Sequence, residues 1–259
     1  MIIKNQAELE AYRALSKIHL AIMAELKSML APGVTGRDVE KRTDQLCLRY
    51  GVDPAFKGAY NFPASLCVSV NQCVVHGVPN DKPFMVGDVI KIDFGAHSGG
   101  LNTDSAFSVQ VGDPKNPEME RFLMCNEECL ERGVAKAVAG NTNADVGRAI
   151  EAHAKAMGYY VVRTLTGHGL ERGRGDKAIH AAPHMYNYDN SASRRTRESC
   201  PVETLLEGMV VAIEPILGHS CGTFRTGANG FDFIISNGSV GSQFEHLLVV
   251  GKGSSEILV

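Results

Sequence analysis

Apolar residues recur at helical spacing near the start of the chain. Leu9, Tyr12, Leu15, Ile18, Leu20, Met23, Leu26 and Leu30 lie two to four apart, and Pro32-Gly33 stops the run, so a helix is predicted over 5–31. A second helix fits 36–50, with Thr35 as its cap, Asp38 three residues on and Gly51 as its stop. Helices also fit 117–139 and 143–157. Extended stretches with strand character lie at 66–70, 88–96, 101–111, 159–164, 209–217, 231–236 and 243–251. The region 169–207 is polar and Arg-rich, and its pattern assigns no element.

The pattern repeats. Gly33, Thr35, Asp38, Val39 and Gly51 match Gly140, Thr142, Asp145, Val146 and Gly158, each at an offset of 107. Cap and stop residues recur in any two helices, but five matches at one offset favour an internal duplication. Each half would be a helix pair followed by antiparallel strands, about 1–115 and 116–259. A site between the halves would draw ligands from both.

Composition narrows the function class. With 26 Lys and Arg against 29 Asp and Glu, the 259-residue chain carries a net charge of −3, which excludes a strongly basic DNA-binding protein. The seven cysteines are odd in number and form no C-x-x-C, so a disulfide framework is not expected. No basic and apolar leader opens the sequence, and no run of about 18 apolar residues suggests a membrane span. A monomeric cytoplasmic protein is the expectation.

The candidate chemistry lies in interrupted strands. Val89–Ala96 and Leu101–Val109 flank His97-Ser-Gly-Gly100, which reads as a hairpin. With a four-residue loop, Ala96 faces Leu101 and Asp93 opposes Asp104. Two opposed carboxylates repel unless a cation or shared proton intervenes. The alternative is two separately hydrogen-bonded aspartates. Thr166-Gly167-His168-Gly169 sets an imidazole between glycines, which suits close approach by a ligand or an exposed loop. Glu214 interrupts the apolar run Val210–Leu217, and Glu245 interrupts Gln243–Val250. Each is either buried with a partner or turned outward. Four carboxylates with one histidine suit hard divalent ions such as Mn, Fe(II) or Co. Bridging carboxylates suit two such ions about 3.5–4 Å apart.

Six motifs in one order carry a family resemblance: Val-Val-His76-Gly-Val-Pro, Ile-Asp93-Phe, Asn-Thr-Asp104-Ser, Thr-Gly-His168-Gly, Ile-Glu214-Pro and Gln-Phe-Glu245-His. The chain resembles the type I methionine aminopeptidases over nearly its whole length. The resemblance implies an α+β pita-bread fold in one catalytic domain, 1–259. Two pseudo-symmetric halves would enclose a central dinuclear site. It implies two divalent ions (Mn, Fe(II), Co or Zn), with Asp93 on the second, His168 and Glu214 on the first, and Asp104 and Glu245 bridging. A metal-bound hydroxide would attack the first peptide bond, with Glu214 as general base and then acid. His76 would lie near the scissile nitrogen, and His180 would hydrogen-bond the substrate carbonyl. Phe62, Cys67 and Phe231 would line a methionine pocket. The implied substrates are N-terminal peptides of nascent chains, losing initiator Met before a small second residue.

The chain departs from the family pattern in places. His168 and His180 stand further apart than expected. His184 rivals His180, although Pro183 follows His180 at the family's spacing. Two insertions, about 171–177 and 187–200, hold Arg172, Arg174, Lys177, Arg194, Arg195 and Arg197. They read either as solvated loops or as a basic lid making transient ribosome contact. Phe231 stands where a larger aromatic is expected. A proline-directed aminopeptidase or prolidase is the alternative enzyme, but it carries an extra N-terminal domain for which this length leaves no room. A non-catalytic binding protein on the same fold would be expected to have lost metal ligands, and all five are present.

Overall fold

The computed structural model describes residues 1–173, 179–193 and 198–259. Four helices form where periodicity places them: α1 (Gln6–Met29), α2 (Gly36–Tyr50), α3 (Pro117–Lys136) and α4 (Asn143–Ala156). Within α1, Ile22 is fully buried, whereas Leu20 is half exposed and lies off the core stripe. Both proposed caps are capping boxes. Thr35 accepts from the Asp38 backbone while the Asp38 side chain accepts from Thr35, and Thr142 and Asp145 do the same. Gly51 and Gly158 are both left-handed, at φ 67° and 87°. The residues matched at an offset of 107 therefore share local conformation.

The predicted strands form in shorter pieces. The stretch 101–111 becomes Leu101–Asn102 and Ser105–Gln110, interrupted at Thr103-Asp104. The stretch 209–217 becomes Val210–Ile213 and Ile216–Gly218, interrupted at Glu214-Pro215. The last stretch divides into Gly241–Gln243 and His246–Val249, interrupted at Phe244-Glu245. Three of the four candidate acids thus sit where a ladder kinks from one sheet into another. Strands also form at Thr166–Leu170 and His180–Tyr186, partly inside the region the sequence left unassigned.

The hairpin register differs from the sequence expectation. Ser98 pairs with Leu101, so the turn is Gly99-Gly100 alone, both with positive φ. Such two-residue turns match strand twist. The register then runs unbroken, and Asp93 pairs with Ala106, not with Asp104. Asp104 is the diagonal neighbour of Asp93 on the same face, still within reach of it. The truly opposed acids are the other two. Ile213 pairs with His246 and Ile216 with Gln243, so counting inward sets Glu214 opposite Glu245 at the kink.

The core covers these ladders from outside. One cluster packs α1 and α2, through Tyr12, Ile22, Leu26 and Leu46, on Ile90, Ile92 and Phe94. The other packs α3 and α4, through Phe122, Leu130 and Ile150, on Val211, Ile213 and Leu248. Strand Val210–Ile213 sends alternate residues to each cluster and joins them. Helix start signals should carry measurable stability. Thr142→Ala and Thr35→Ala are each expected to lower unfolding free energy by about 1 kcal/mol. The double variant should lose their sum, read as urea midpoint shifts at unchanged slope.

Candidate metal centre

Backbone pairing assembles the acids. Ala106 lies between Asp93, its ladder partner, and Glu245, whose N–H donates to the Ala106 carbonyl at 2.9 Å. Asp93, Ala106 and Glu245 therefore sit side by side across three chain segments, with Asp104 on the diagonal and Glu214 opposite Glu245. His168 enters from strand Thr166–Leu170, which runs beside Val210–Ile213. Its glycines serve the strands rather than a loop. A Cβ on Gly167 would lie 2.3 Å from the Ala212 carbonyl oxygen, and one on Gly169 would lie 2.4 Å from that of Ala182. Only glycine lets three strands approach closely enough to bury His168 among the acids.

All five predicted ligands meet. Asp93, Asp104 and Glu245 present oxygens within 4.8 Å of one another, and His168, Glu214 and Glu245 form a second such group. His168 Nε2 stands 3.7 Å from Glu245 Oε1 and 3.9 Å from Asp104 Oδ2. Those gaps exceed hydrogen bonding and leave room for a cation between the ring nitrogen and the oxygens. Asp93 Oδ1, Asp104 Oδ1 and Glu245 Oε1 are buried with no hydrogen-bond partner. Among the described residues no Lys or Arg pairs with any of the four acids. Gln243 is the one neutral support, its Nε2 donating to Asp93 Oδ2 at 3.0 Å and to Glu214 Oε1 at 2.7 Å. Oxygen-rich donors, orphaned lone pairs and missing counter-charge fit divalent cations.

The electrostatics agree. Burial pushes Asp93 up to about 7. Burial, reinforced by neighbouring carboxylates, holds Asp104, Glu214 and Glu245 well above the usual range. The histidines move the other way. Burial lowers His168 and His76 to about 4, and it lowers His180 well below its ordinary value, so all three rings are neutral near pH 7.

Both candidate second histidines line the cavity, and they differ in how they meet the acids. His180 Nε2 lies 3.9 Å from Asp104 Oδ2, and its ring stacks on His168 at 3.7 Å. His184 pairs with His168 along the ladder, and its side chain is exposed. His76 has φ 58° and packs against Phe233 at the cavity wall. The cavity is about 690 Å³, with the acids at its floor. Its apolar end holds Phe62, Cys67 and Phe231, with Phe62 and Phe231 edge to face at 5.5 Å. Phe56 and Ile179 complete that wall without having been predicted. Ile179 directly precedes His180, which is the one signal that could have found it. Gln243 stands within the quoted Gln-Phe-Glu245 motif, where no role was given to it. Of the six basic loop residues, Arg172 is held by Glu8 and by the Ile2 carbonyl, while Arg174, Lys177, Arg194, Arg195 and Arg197 lie outside the described residues.

These shifts fix the sign of a metal titration. Acids raised above their usual range carry protons that a cation must displace. At pH 6, Mn(II) binding to metal-stripped protein is expected to release protons. The release should decline as pH rises through about 7, where Asp93 ionises unaided, and affinity should tighten over the same range. His168, neutral above about pH 5, contributes none. Calorimetry in buffers of different ionisation enthalpy measures the count, and zero protons at pH 6 would contradict this electrostatic picture.

Known proteins share this sequence and shape. The model of metallopeptidase family M24 matches residues 10–252. The methionine aminopeptidase of Clostridium perfringens is 30% identical over 100% of this chain and 98% of its own. Methionine aminopeptidase 2 of Bacillus subtilis is 30% identical over 100% of this chain and 99% of its own. The crystal structure of the Thermotoga maritima methionine aminopeptidase matches with a TM-score of 0.88 at 30% identity, covering 100% of this chain and 99% of that one. The prolidase of Pyrococcus furiosus shares the fold at a TM-score of 0.74 and 24% identity, this chain covering 65% of it. The fold is the pita-bread fold of these proteins. The chain belongs to metallopeptidase family M24, and its buried acid cluster offers the ligands for divalent-metal binding.

Proposed function

We propose that this metallopeptidase is a methionine aminopeptidase, removing the initiator Met from nascent chains whose second residue is small. The observation that carries the reading is one cavity in which an apolar wall of Phe56, Phe62, Cys67, Ile179 and Phe231 adjoins the buried acids. An unbranched, polarizable thioether packs well against aromatic edges and a thiol. The full-length similarity to methionine aminopeptidases supports the same substrate.

In this reading the site holds two ions, drawn from Mn, Fe(II), Co or Zn. Asp93 would hold the second, His168 and Glu214 would hold the first, and Asp104 and Glu245 would serve both. When bound, the ions polarise the scissile carbonyl and make water acidic enough to attack near neutral pH. Glu214 accepts the proton of the attacking water and then returns it to the leaving amine. His180, neutral through burial, donates a hydrogen bond to the substrate carbonyl and to the charge developing there. His76, also in the cavity lining, faces the scissile nitrogen in this reading. Phe62, Cys67 and Phe231 hold the methionine side chain and exclude water from it.

The same reading takes the chain as one catalytic domain of two related halves, 1–115 and 116–259. The matching capping boxes at an offset of 107 support it. Among the described residues no helix is long and apolar enough to cross a membrane. A monomer acting in the cytoplasm, with transient ribosome contact through its basic insertions, completes the proposal. Ribosome pelleting unaffected by charge reversal of Arg194, Arg195 and Arg197 would remove that contact from it.

Hydrolysis of Met-Ala-Ser tests the activity. Metal-dependent Met release is expected, and Asp104→Ala should lose more than the roughly 100-fold that a supporting partner typically costs. His180→Ala should lower kcat by about 10²–10³, as loss of an oxyanion donor does, while His184→Ala should stay near the unmutated rate. Cleavage of Xaa-Pro dipeptides in preference to Met-Ala-Ser, or no Met release with any of the four metals, would overturn the reading.

A further inference from the structure

The long helix α1 does more than cover the first sheet. His19 sits on its inner face with no exposure. Its Nδ1 is 2.8 Å from Thr103 Oγ1 and its Nε2 is 2.7 Å from Ser105 Oγ. Those two hydroxyls flank Asp104 in the chain. Two turns earlier on the same helix, Tyr12 donates its hydroxyl to the Asn102 carbonyl at 2.7 Å. The helix therefore grips residues 102, 103 and 105, and leaves the Asp104 side chain to line the cavity.

This grip falls where the ladder is weakest. Strands Leu101–Asn102 and Ser105–Gln110 are interrupted at Thr103-Asp104. Nearby, Thr103 N–H donates to the Ala96 carbonyl at 2.8 Å. Asp104 Oδ1 has no hydrogen-bond partner to orient it. One tautomer satisfies every hydrogen around the ring. Nδ1–H donates to Thr103 Oγ1, the Thr103 hydroxyl donates to the Ala96 carbonyl at 3.3 Å, and the Ser105 hydroxyl donates to Nε2. The ring also tilts against Phe94 at 5.3 Å between centroids, which fixes its plane. An aliphatic residue would fill the same volume, but it would leave both hydroxyls without their buried partner.

We propose that His19 is a positioning residue for the metal centre: by bridging the Thr103 and Ser105 hydroxyls it fixes the backbone on both sides of Asp104 and so aims that carboxylate. The inference rests on the reading of Asp104 as a metal ligand. It assigns a role in metal affinity to a helix that otherwise covers the first sheet and holds the Asn102 carbonyl through Tyr12. Groups that support a ligand typically govern metal affinity by about 10–100-fold.

The test compares four variants of the full chain by calorimetric Mn(II) affinity of the metal-stripped protein, by thermal midpoint, and by KM and kcat on Met-Ala-Ser. His19→Phe keeps ring volume and removes both hydrogen bonds. It should weaken Mn(II) binding by about 10–100-fold and lower kcat, with KM nearly unchanged. His19→Gln keeps a donor and an acceptor and should recover affinity to within a few-fold. Ile22→Ala, on the same buried face of α1, should lower the thermal midpoint and leave Mn(II) affinity within about two-fold, since it opens a cavity away from the ligands. Equal affinity changes in His19→Phe and Ile22→Ala, or none in either, would overturn the proposal. If His19→Phe does not fold, Thr103→Val with Ser105→Ala removes the same bonds from the other side, and unchanged affinity there would overturn it as well. Asp104→Ala is the fourth variant. If it binds Mn(II) as tightly as the unmutated chain, the metal reading itself fails. If it loses affinity while His19→Phe keeps it, only the positioning role fails.

Discussion

Four carboxylates packed inside a protein repel one another, and here no basic side chain among the described residues answers them. Within the groups whose oxygens lie inside 4.8 Å of one another, an ionised pair costs about 3 kcal/mol or more even at an effective dielectric of about 20. Protons or cations must relieve that repulsion. The surrounding structure is arranged for cations. The nearby histidines are held neutral by burial, so they can ligate or donate but cannot neutralise. One amide, Gln243, ties two of the acids without adding charge. Helices and core clusters lie outside the ladders and supply the rigidity that like charges would otherwise undo.

The strands break where the acids meet. Kinking the ladder at Thr103-Asp104, Glu214-Pro215 and Phe244-Glu245 frees those side chains to converge on one point. Ala106 then joins the two ladders, because it pairs with Asp93 on one side and accepts from Glu245 N–H on the other. The site is a property of both ladders, since either alone offers only two of the four acids.

Much of this was legible in the residues, and the misses have physical causes. Helical periodicity located α1 to α4 to within three residues, and capping boxes and left-handed glycines punctuate α2 and α4 locally. The five expected ligands were named from their motifs, and the structure brings those side chains together. The hairpin register went wrong because His97-Ser-Gly-Gly100 reads as a four-residue loop, whereas two consecutive glycines can make the whole turn. That error paired Asp93 with Asp104. The logic of opposed acids was sound, but it belonged to Glu214 and Glu245, whose pairing depends on residues about thirty positions apart. Phe56, Ile179 and Gln243 escaped attention for a related reason. Each acts through a tertiary neighbour that no local pattern names.

His19 shows the limit most clearly. A histidine in the middle of an amphipathic helix looks like any partly buried polar residue, and propensity says nothing about its partners. Its meaning lies in two hydroxyls more than eighty positions away. Those hydroxyls would otherwise be unexceptional strand residues. Only their placement on either side of Asp104 turns three polar groups into a clamp. Burying three such groups would be a net cost if any were unpaired. The complete pairing found here makes the clamp stiff, and stiffness next to a ligand is what holds a carboxylate in a direction its neighbours oppose.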